Sequence, residues 1–382
     1  MKFKIKGIFI FLLCFFYFVF KGKADKKIPV LKKIAIMQTA KLGDMVCTTP
    51  MFRAVKEKYP EVKVFVMGNK TNKELLDGNP DVNEYIIWEN NFWELIKKLK
   101  REKIDFACST HPNFWGLAML YLAGVPLIAV PAIKKGFSPV ETRLYKMLRK
   151  FAVAVPHHMG NYAPREYLRL LEPVGVFSDN TKKYLYFTKQ ADEAIKKFFI
   201  SNEIDISKDF VVGISPSVGN KIRKWGGKNF AEVADYIYNK YKVKIIIIGA
   251  KSDKDEVEEM VNNIDKNTKI INTYNLFCVD ELKAVISKLN LFISVESGPV
   301  FIAEVFNVPI VNLVGPVDDN NQSPKGKKFL IVKINRSAPA IHVMNAIVYD
   351  YKEARRQIEE ITVEMVVEKI DEIMSLIYNN AI

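Results

Sequence analysis

Three short stretches of the chain combine residue types that could do chemistry. Residues 32–60, KKIAIMQTAKLGDMVCTTPMFRAVKEKYP, place Gly43 and the carboxylate of Asp44 in a polar segment after an apolar run. Residues 215–225, SPSVGNKIRKW, combine small residues with cations, and residues 295–299, VESGP, combine a carboxylate with small residues. A positioned carboxylate can accept a proton, and small residues beside cations can hold an anion such as a diphosphate.

The first stretch predicts a strand, a loop and a helix. The apolar run at residues 34–37 is typical of a buried strand, and apolar residues recur at helical spacing over residues 51–59. In parallel sheets, ligands bind where such loops leave the carboxyl ends of the strands. The helix start has two readings. Either Asp44 is the N-cap, or Thr49 is the N-cap with Pro50 as the first helical residue, which leaves the Asp44 carboxylate free.

The second stretch predicts an anion site after another buried strand. Ser215 and Ser217, with a glycine close by, let backbone N–H groups approach an anion, while Arg223 and Lys224 supply positive charge. A solvated basic loop is the alternative reading. The position at the carboxyl end of a strand favours phosphate binding.

The third stretch predicts a helix N-terminus that receives an anion. Ser297 can cap the helix, and Gly298 and Pro299 begin its first turn, whose unpaired N–H groups attract negative charge. The neighbouring carboxylate of Glu296 suits the hydroxyl groups of a ribose or sugar better than a phosphate. A plain helix cap explains Ser297 equally well.

Positive charge is concentrated at the start of the chain. Residues 1–33 of the 382-residue chain contain nine lysines and one acidic residue, Asp25, and so carry +8 of the formal net charge of +14. This distribution fits an anionic lipid surface better than a nucleic-acid groove, because the remainder has no arginine-rich patch with interleaved aromatic residues. The four cysteines form no CxxC and the four histidines show no ligand spacing, so we expect no metal site and no cofactor.

Residues 8–20, IFIFLLCFFYFVF, form an unbroken apolar run with lysines on both sides. The run is short for a spanning helix, which needs about 20 apolar residues. It can be a membrane anchor, a cleaved signal peptide or a buried helix. The lysines on both sides favour an anchor at the cytoplasmic face of the inner membrane, with the protein peripheral or anchored there.

Strand and helix patterns alternate twice along the rest of the chain, which predicts an α/β protein with doubly wound parallel sheets. We divide the chain into a basic and hydrophobic membrane-anchor segment at residues 1–32, an N-terminal Rossmann-like domain at residues 33–185, a C-terminal Rossmann-like domain at residues 186–348 and a helical segment at residues 349–382. The two halves are similar, and each has the pattern of a nucleotide-binding α/β unit.

Four blocks in this order resemble glycosyltransferase family 9, the heptosyltransferase family: LGDMVCTTPMFRAVKEKYP, SPSVGNKIRKWGGKNFAEVADYI, IIIIGAKSDKDEVEE and ISVESGPVFIAEVFNVPIVNLVGPVD. The resemblance runs from about residue 33 to residue 318. It implies the GT-B fold, in which two Rossmann-like domains face each other across a cleft. It also implies an acceptor-binding N-terminal domain, a nucleotide-sugar-binding C-terminal domain and no required metal.

The resemblance also implies roles for individual residues. The proposed catalytic base of the family falls on Asp44, with Gly43 and Thr48 supporting its loop. The basic residue that contacts the donor phosphate in the family falls on Arg223, and Lys224 lies beside it. The serine, glycine and proline of the VESGP stretch fall on the donor site.

The chain departs from the family pattern at three positions. Glu296 stands where the family usually has aspartate, Phe301 stands where it has histidine, and Gly226 replaces a familiar proline after the tryptophan. Glutamate keeps the charge with a longer reach, whereas Phe301 cannot donate or accept a hydrogen bond. These departures affect the expected choice of donor.

The resemblance implies an inverting glycosyltransferase that moves a heptose or related sugar from a nucleotide-diphosphate donor, such as ADP-heptose, to a lipopolysaccharide or other cell-surface glycan acceptor. The expected partners are that donor, a lipid-linked or lipopolysaccharide-type acceptor and an anionic membrane surface, with no nucleic acid. Two alternatives remain open at this point: a nucleotide-sugar 2-epimerase, and a non-catalytic nucleotide-sugar-binding homologue, for which Phe301 is the best argument.

Overall fold

The computed structural model of the chain describes residues 2–21, 30–88, 91–341 and 350–379. Its contacts divide the chain into two compact units, Met1–Tyr184 and Leu185–Ile382. Each unit is built around one six-stranded parallel sheet with helices packed on it. The predicted α/β class with doubly wound parallel sheets is confirmed.

The sheet of the first unit has the spatial order β3-β2-β1-β4-β5-β6. Its strands are β1 (Lys33–Met37), β2 (Lys63–Gly68), β3 (Glu84–Ile87), β4 (Phe106–Ser109), β5 (Leu127–Lys135) and β6 (Val153–His158). Its helices are α1 (Lys2–Lys21), α2 (Leu42–Lys58), α3 (Lys70–Leu76), α4 (Phe92–Glu102), α5 (Phe114–Leu122), α6 (Arg143–Leu148) and α7 (Ala163–Leu168). Because β1 and β4 are neighbours, the direction of winding reverses between them, and the loops after these two strands flank the switch point.

One face of this sheet is covered in two layers. The alternate β1 side chains of Ala35 and Met37 share a hydrophobic core with side chains from α4, α5 and α6, and with Ile10 and Cys14 of α1. Helix α1 therefore lies outside α5 and α6 as an additional layer. Among the described residues, no helix is both long enough and apolar enough to cross a membrane.

The sheet of the second unit has the spatial order β12-β11-β10-β7-β8-β9. Its strands are β7 (Val211–Ser215), β8 (Lys244–Ile247), β9 (Ile270–Asn272), β10 (Leu291–Val295), β11 (Ile310–Leu313) and β12 (Phe329–Val332). Its helices are α8 (Lys189–Ser201), α9 (Gly227–Tyr241), α10 (Lys254–Asn263), α11 (Val279–Ile286), α12 (Gly298–Val305), α13 (Tyr351–Glu359) and α14 (Val363–Tyr378). When β7–β12 are numbered one to six and the sheet is viewed from its β9 edge, the strand order is 3-2-1-4-5-6, as in the first unit. The switch point of this sheet lies between β7 and β10.

The two C-terminal helices complete the core of the second unit. Val366, Ile370 and Ile373 of α14 are fully buried in the same core as Val311 and Leu313 of β11. The side-chain oxygen of Thr362 accepts the N–H of Met365 at 3.3 Å and so caps α14. Burial of this apolar face explains why the helix forms at the end of the chain.

Candidate functional site

The predicted residues of the first unit lie at the switch point of its sheet, but the helix after β1 begins earlier than either sequence reading predicted. Helix α2 has Lys41 as its N-cap, so Gly43 and Asp44 lie in its first turn and Thr49 and Pro50 lie in its interior. Neither Asp44 nor Thr49 is the N-cap, and both readings are wrong in that respect. A carboxylate in the first turn is stabilised by the positive end of the helix dipole.

The proline inside α2 is tolerated because a side chain replaces its missing donor. Pro50 has no N–H to offer to the carbonyl of Val46, four residues earlier. The hydroxyl of Thr49 donates to the Val46 carbonyl at 2.8 Å. The Thr49 hydroxyl oxygen also accepts the N–H of Tyr184 at 2.9 Å. The helix therefore continues through the proline, which local sequence pattern did not reveal.

The backbone of Asp44 is fixed by two neighbouring side chains. The Thr48 hydroxyl donates to the Asp44 carbonyl at 2.8 Å, and the Gln38 amide nitrogen donates to the Thr48 hydroxyl at 3.2 Å. The Gln38 side-chain oxygen in turn accepts the N–H of Ala40 at 3.1 Å. Gly43 is buried and Asp44 is half-buried. The predicted supporting role of Thr48 has a physical basis in these hydrogen bonds.

His111 is a polar residue at the same switch point that sequence reasoning did not select. It follows β4, and its Nε2 atom lies 3.2 Å from the hydroxyl of Thr39, in the loop after β1. Burial lowers the pKa of His111 to about 4, so the ring is neutral at pH 7. Within the described residues its buried Nδ1 atom has no hydrogen-bond partner. The sequence signal that could have identified His111 is its position after β4, the strand that pairs with β1.

The second unit brings two of its predicted site residues into direct contact. Arg223, in the loop after β7, and Glu296, in the loop after β10, are 4% and 5% exposed. The Arg223 guanidinium donates to both the side chain and the backbone carbonyl of Glu296. The two loops at this switch point are therefore joined by a buried ion pair, and the guanidinium charge is balanced by a carboxylate.

Lys224 has a different environment from its neighbour. Its ammonium lies 2.7 Å from a carboxylate oxygen of Glu259 on α10, and both side chains are about one-third exposed. The hydrogen bond from Lys224 is the main reason that the pKa of Glu259 lies below its ordinary value. A partly exposed lysine can turn toward a ligand more easily than a buried arginine.

The predicted serines lie together at the carboxyl ends of β7 and β10. Ser215, Ser217 and Ser297 are all less than one-tenth exposed. The Ser294 hydroxyl lies 2.9 Å from the Ser215 carbonyl and 3.3 Å from the Ser297 hydroxyl. Among the described residues, the Ser217 hydroxyl has no hydrogen-bond partner. A buried hydroxyl in that state is a candidate ligand contact.

Helix α12 begins directly after these serines. Ser297 is its N-cap residue but makes no side-chain capping hydrogen bond, so the simple cap reading of this serine is wrong. Gly298 and Pro299 form the start of the first turn, which leaves the N-terminal end of the helix available to attract negative charge. Phe301 is buried on the same helix.

The departure at Gly226 has a structural reason. Gly226 has a φ of +111°, which proline cannot adopt because its ring holds φ near −65°. The next residue, Gly227, lies so close to α10 that an added Cβ would stand 2.5 Å from the backbone nitrogen of Met260. This chain therefore uses a glycine pair to begin α9 against α10.

The backbone of the loop after β7 is hydrogen-bonded by Arg355, a residue that sequence reasoning missed. One guanidinium nitrogen of Arg355, on α13, lies within hydrogen-bond distance of the carbonyls of Lys221, Ile222 and Lys224, at 3.2, 3.2 and 3.0 Å. The Trp225 indole donates to the Ile361 carbonyl at 2.7 Å. These partners lie more than 130 residues apart, so no local motif marks them.

We expect Arg355→Ala to weaken the predicted binding of an anion by this loop about 10-fold, because it releases the backbone that positions Arg223 and Lys224. Each lost charge-assisted hydrogen bond is worth about 1.5–3 kcal/mol, and water replaces part of it. Isothermal titration with inorganic pyrophosphate would measure the affinity. Arg356→Ala is the matched control, because Arg356 contacts Glu353 on its own helix and Glu360 at the end of that helix. Equal effects of both substitutions would contradict the positioning role of Arg355.

Two units with the same Rossmann-like strand order, each with polar loops at its switch point, have the fold of the GT-B class of glycosyltransferases. A family model supports this class, because residues 92–347 match glycosyltransferase family 9 (heptosyltransferase). The match covers more than half of the chain, and the chain belongs to this family. It is therefore a glycosyltransferase, and the resemblance recognised from the four sequence blocks is confirmed. The epimerase alternative is not favoured.

Known proteins similar to this chain agree with the family. Lipopolysaccharide heptosyltransferase 3 from Escherichia coli is 26% identical over 293 residues, covering 72% of this chain and 81% of that protein. A family 9 glycosyl transferase from Veillonella parvula DSM 2008 superposes with a TM-score of 0.74 at 20% identity, covering 90% and 97% of the two chains. The ADP-heptose lps heptosyltransferase II of E. coli has a TM-score of 0.70 at 17% identity, covering 90% and 98%. These similarities support the fold as predicted.

Proposed function

We propose that the protein is an inverting heptosyltransferase that moves heptose from ADP-heptose to a lipopolysaccharide-type acceptor. Membership of family 9 carries the proposal. Similar proteins, which include a lipopolysaccharide heptosyltransferase and an ADP-heptose lps heptosyltransferase, support the donor and the acceptor. The proposed place of action is the cytoplasmic face of the inner membrane, where the lysine-flanked residues 8–20 contribute to attachment.

In the proposed mechanism, Asp44 accepts the proton of an acceptor hydroxyl, and that oxygen attacks the anomeric carbon of the donor. The bond from the anomeric carbon to the diphosphate oxygen breaks, and the diphosphate leaves with the electron pair. The first-turn position of Asp44 at the end of β1 gives the base a fixed backbone. General-base assistance of this kind typically contributes about 10²–10⁴-fold to the rate.

The departing diphosphate needs positive partners, and the second unit offers three kinds. These are the cations of Arg223 and Lys224, the N-terminal end of α12 at Gly298, and the hydroxyl of Ser217, which has no hydrogen-bond partner in the described part of the chain. Preorganised donors of this kind stabilise charge that develops in a transition state. Because the proposed charge stabilisation comes from the protein, we also propose that transfer requires no metal.

Glu296 has two proposed roles in this site: contact with hydroxyl groups of the donor, and orientation of Arg223. Its carboxylate holds Arg223 in a fixed orientation between the loops after β7 and β10. A phosphate arriving at these loops would meet the helix terminus and Lys224 in addition to this paired arginine. The pairing neutralises the guanidinium charge of Arg223, because an unpaired buried guanidinium would destabilise the fold.

The proposal predicts transfer from one donor class. We expect the purified protein to add heptose to a heptose-deficient lipopolysaccharide in the presence of ADP-heptose, and not with GDP- or UDP-sugars. Mass spectrometry of the acceptor measures the product, and added EDTA should leave the rate within about twofold. ADP should also raise the melting temperature, because a ligand that binds the native state stabilises it by mass action.

Different failures identify different alternatives. Stabilisation by ADP without a product on any acceptor would favour the non-catalytic binding homologue. Conversion of the donor sugar without an acceptor would favour the epimerase. Transfer from a UDP-sugar would keep the glycosyltransferase assignment and replace the proposed donor, whereas inhibition by EDTA that is reversed by a divalent cation would overturn metal independence.

A further inference from the structure

Helix α1 has one apolar face packed on the first unit and a second apolar face exposed. Gly7, Ile10 and Cys14 follow one stripe of the helix and are buried. An added Cβ at Gly7 would lie 3.1 Å from the side chain of Leu144 on α6, which shows how closely the helix approaches. Phe18 stacks on Phe151 with 4.5 Å between ring centroids. The helix is thus a fixed layer of the unit.

The opposite stripe of α1 carries large apolar side chains that the unit leaves uncovered. Phe9, Phe16 and Val19 are 58%, 56% and 60% exposed. Soluble proteins rarely expose a contiguous apolar stripe of this kind without a partner for it. The buried stripe and the exposed stripe lie on opposite sides of the helix, so the exposed stripe faces away from α5 and α6.

The exposed face continues into an apolar groove between the start of α1 and the start of α4. The groove has a volume of about 920 Å³, and Phe9, Phe92, Trp93 and Trp115 are among the residues that line it. Phe92 meets both tryptophans edge to face, with centroid distances of 5.3 and 5.8 Å. Lys6 lines the groove as well and is exposed to solvent. Aromatic rings with a polar edge beside lysine are typical of the interface between lipid headgroups and acyl chains.

A basic pocket of about 610 Å³ adjoins this groove. The two share Asn91 and Leu95 as lining residues. The pocket is also lined by four cations: Lys73, Lys97, Lys98 and Arg101. Glu94 is its acidic lining residue. An apolar groove beside a cluster of cations is complementary to a lipid with hydrocarbon chains and an anionic phosphate headgroup.

The groove lies at the same edge of the sheet as the proposed catalytic base. Two residues that line the groove lie after strands of this sheet: Trp88 directly follows β3, and Asn113 ends the loop between β4 and α5. All strands of this sheet are parallel, so their carboxyl ends share one edge with the loop after β1 that leads to Asp44. A lipid held at the groove would therefore bring a membrane surface to the edge of the sheet where Asp44 lies.

We propose that the exposed face of α1, the aromatic groove and the basic pocket together dock onto an anionic phospholipid leaflet. Helix α1 lies in the plane of the interface, one lipid chain occupies the groove, and the lipid phosphate contacts the cations of the pocket. The biological role of this surface rests on the proposed function, because docking would hold the enzyme where a lipid-linked acceptor is presented. The docking itself is independent of catalysis.

Vesicle sedimentation of the full chain tests the apolar part of this surface. We expect the parent protein to bind vesicles of phosphatidylglycerol and phosphatidylcholine, and Phe9→Asp/Phe16→Asp to reduce the partition coefficient at least 10-fold. Phe177→Asp is the matched control, because Phe177 is 76% exposed in the same unit and lies outside the groove lining. Circular dichroism melting checks that all three proteins fold alike.

The headgroup contact is tested by charge. Lys97→Ala/Arg101→Ala should lower the preference for phosphatidylglycerol vesicles over pure phosphatidylcholine about 10-fold or more, since each cation near an anionic surface contributes about fivefold. Lys58→Ala/Lys63→Ala removes the same charge from exposed positions outside both lining sets and should have a much smaller effect. If the two double substitutions had equal effects on vesicle preference, only net charge would matter, and the proposal that the basic pocket binds the headgroup would be wrong.

Two further outcomes decide between occupants and between proposals. If light scattering shows a parent dimer that Phe9→Asp/Phe16→Asp converts to a monomer, with no vesicle binding by the parent, a second copy covers the face and the lipid proposal is wrong. Transfer to a delipidated soluble acceptor should be the same for the parent and the docking variants. Vesicle binding without any transfer by the parent would leave the docking surface standing and would contradict the proposed function.

Discussion

Asp44→Asn is expected to lower kcat for heptose transfer by about 10²–10⁴-fold, which is the usual contribution of a positioned general base. Asparagine has the same shape but cannot accept the proton of the acceptor hydroxyl at neutral pH. The backbone at this position is held by the hydroxyl of Thr48, which donates to the carbonyl of residue 44. The substitution therefore leaves the start of α2 in place. Single-turnover kinetics at saturating ADP-heptose would measure the effect directly.

The matched control is Asp77→Asn, which makes the same chemical change at an exposed position after α3. We expect it to retain parent activity. Loss of the favourable interaction with the helix dipole should lower the stability of Asp44→Asn by about 0.3–1 kcal/mol, which is small enough for the protein to remain folded. Turnover close to that of the parent in a folded Asp44→Asn protein would show that another group is the base.

The beginning of α2 shows how far sequence pattern could predict the first site. The apolar run before Gly43 correctly indicated a buried strand, and the position of Asp44 at its carboxyl end follows from the parallel arrangement. The helix start was wrong because Pro50 normally marks a first turn. Here the Thr49 hydroxyl satisfies the carbonyl that the proline leaves without a donor. That compensation depends on side-chain geometry that spacing does not encode.

The loops after β7 and β10 show a different limit. Serines, glycines and cations at residues 215–225 and 295–299 correctly marked the loops that flank the switch point of the second sheet. The sequence did not reveal that Arg223 and Glu296, which lie 73 residues apart, form one buried pair. Charge in a short window indicates an anion site, whereas the tertiary fold decides how much of that charge is already balanced.

The N-terminal apolar run illustrates why periodicity can fail. Residues 8–20 are apolar on all sides, so no stripe distinguishes the packed face of α1 from its exposed face. The distinction comes from α5 and α6, because Gly7 and Cys14 are small enough to let the helix approach them. A sequence that is apolar all round predicts burial or a membrane, and here the surrounding unit determines which side chains remain exposed.

Removing one member of the Arg223–Glu296 pair is expected to destabilise the protein more than any surface substitution. Glu296→Gln leaves a charged guanidinium buried with an amide and a backbone carbonyl as partners, and loss of one partner from a buried ion pair costs about 3–5 kcal/mol. In urea unfolding, the midpoint urea concentration should fall, while the dependence of the free energy of unfolding on urea concentration (the m value) should not change. The comparison pair is Lys224 and Glu259, which is about one-third exposed. Glu259→Gln should therefore cost only about 0–1 kcal/mol.

The double variant Arg223→Met/Glu296→Leu separates stability from donor binding. Replacing both members of a buried pair with apolar residues of similar size is often neutral or stabilising, so the midpoint should return to near the parent value. If Arg223 contacts the donor diphosphate, ADP affinity should remain at least 10-fold weaker in this folded variant, since a lost charged hydrogen bond is worth about 1.5–3 kcal/mol. Parent-like affinity in the double variant would restrict Arg223 and Glu296 to joining the two loops. The diphosphate would then depend on Lys224, Ser217 and the N-terminus of α12.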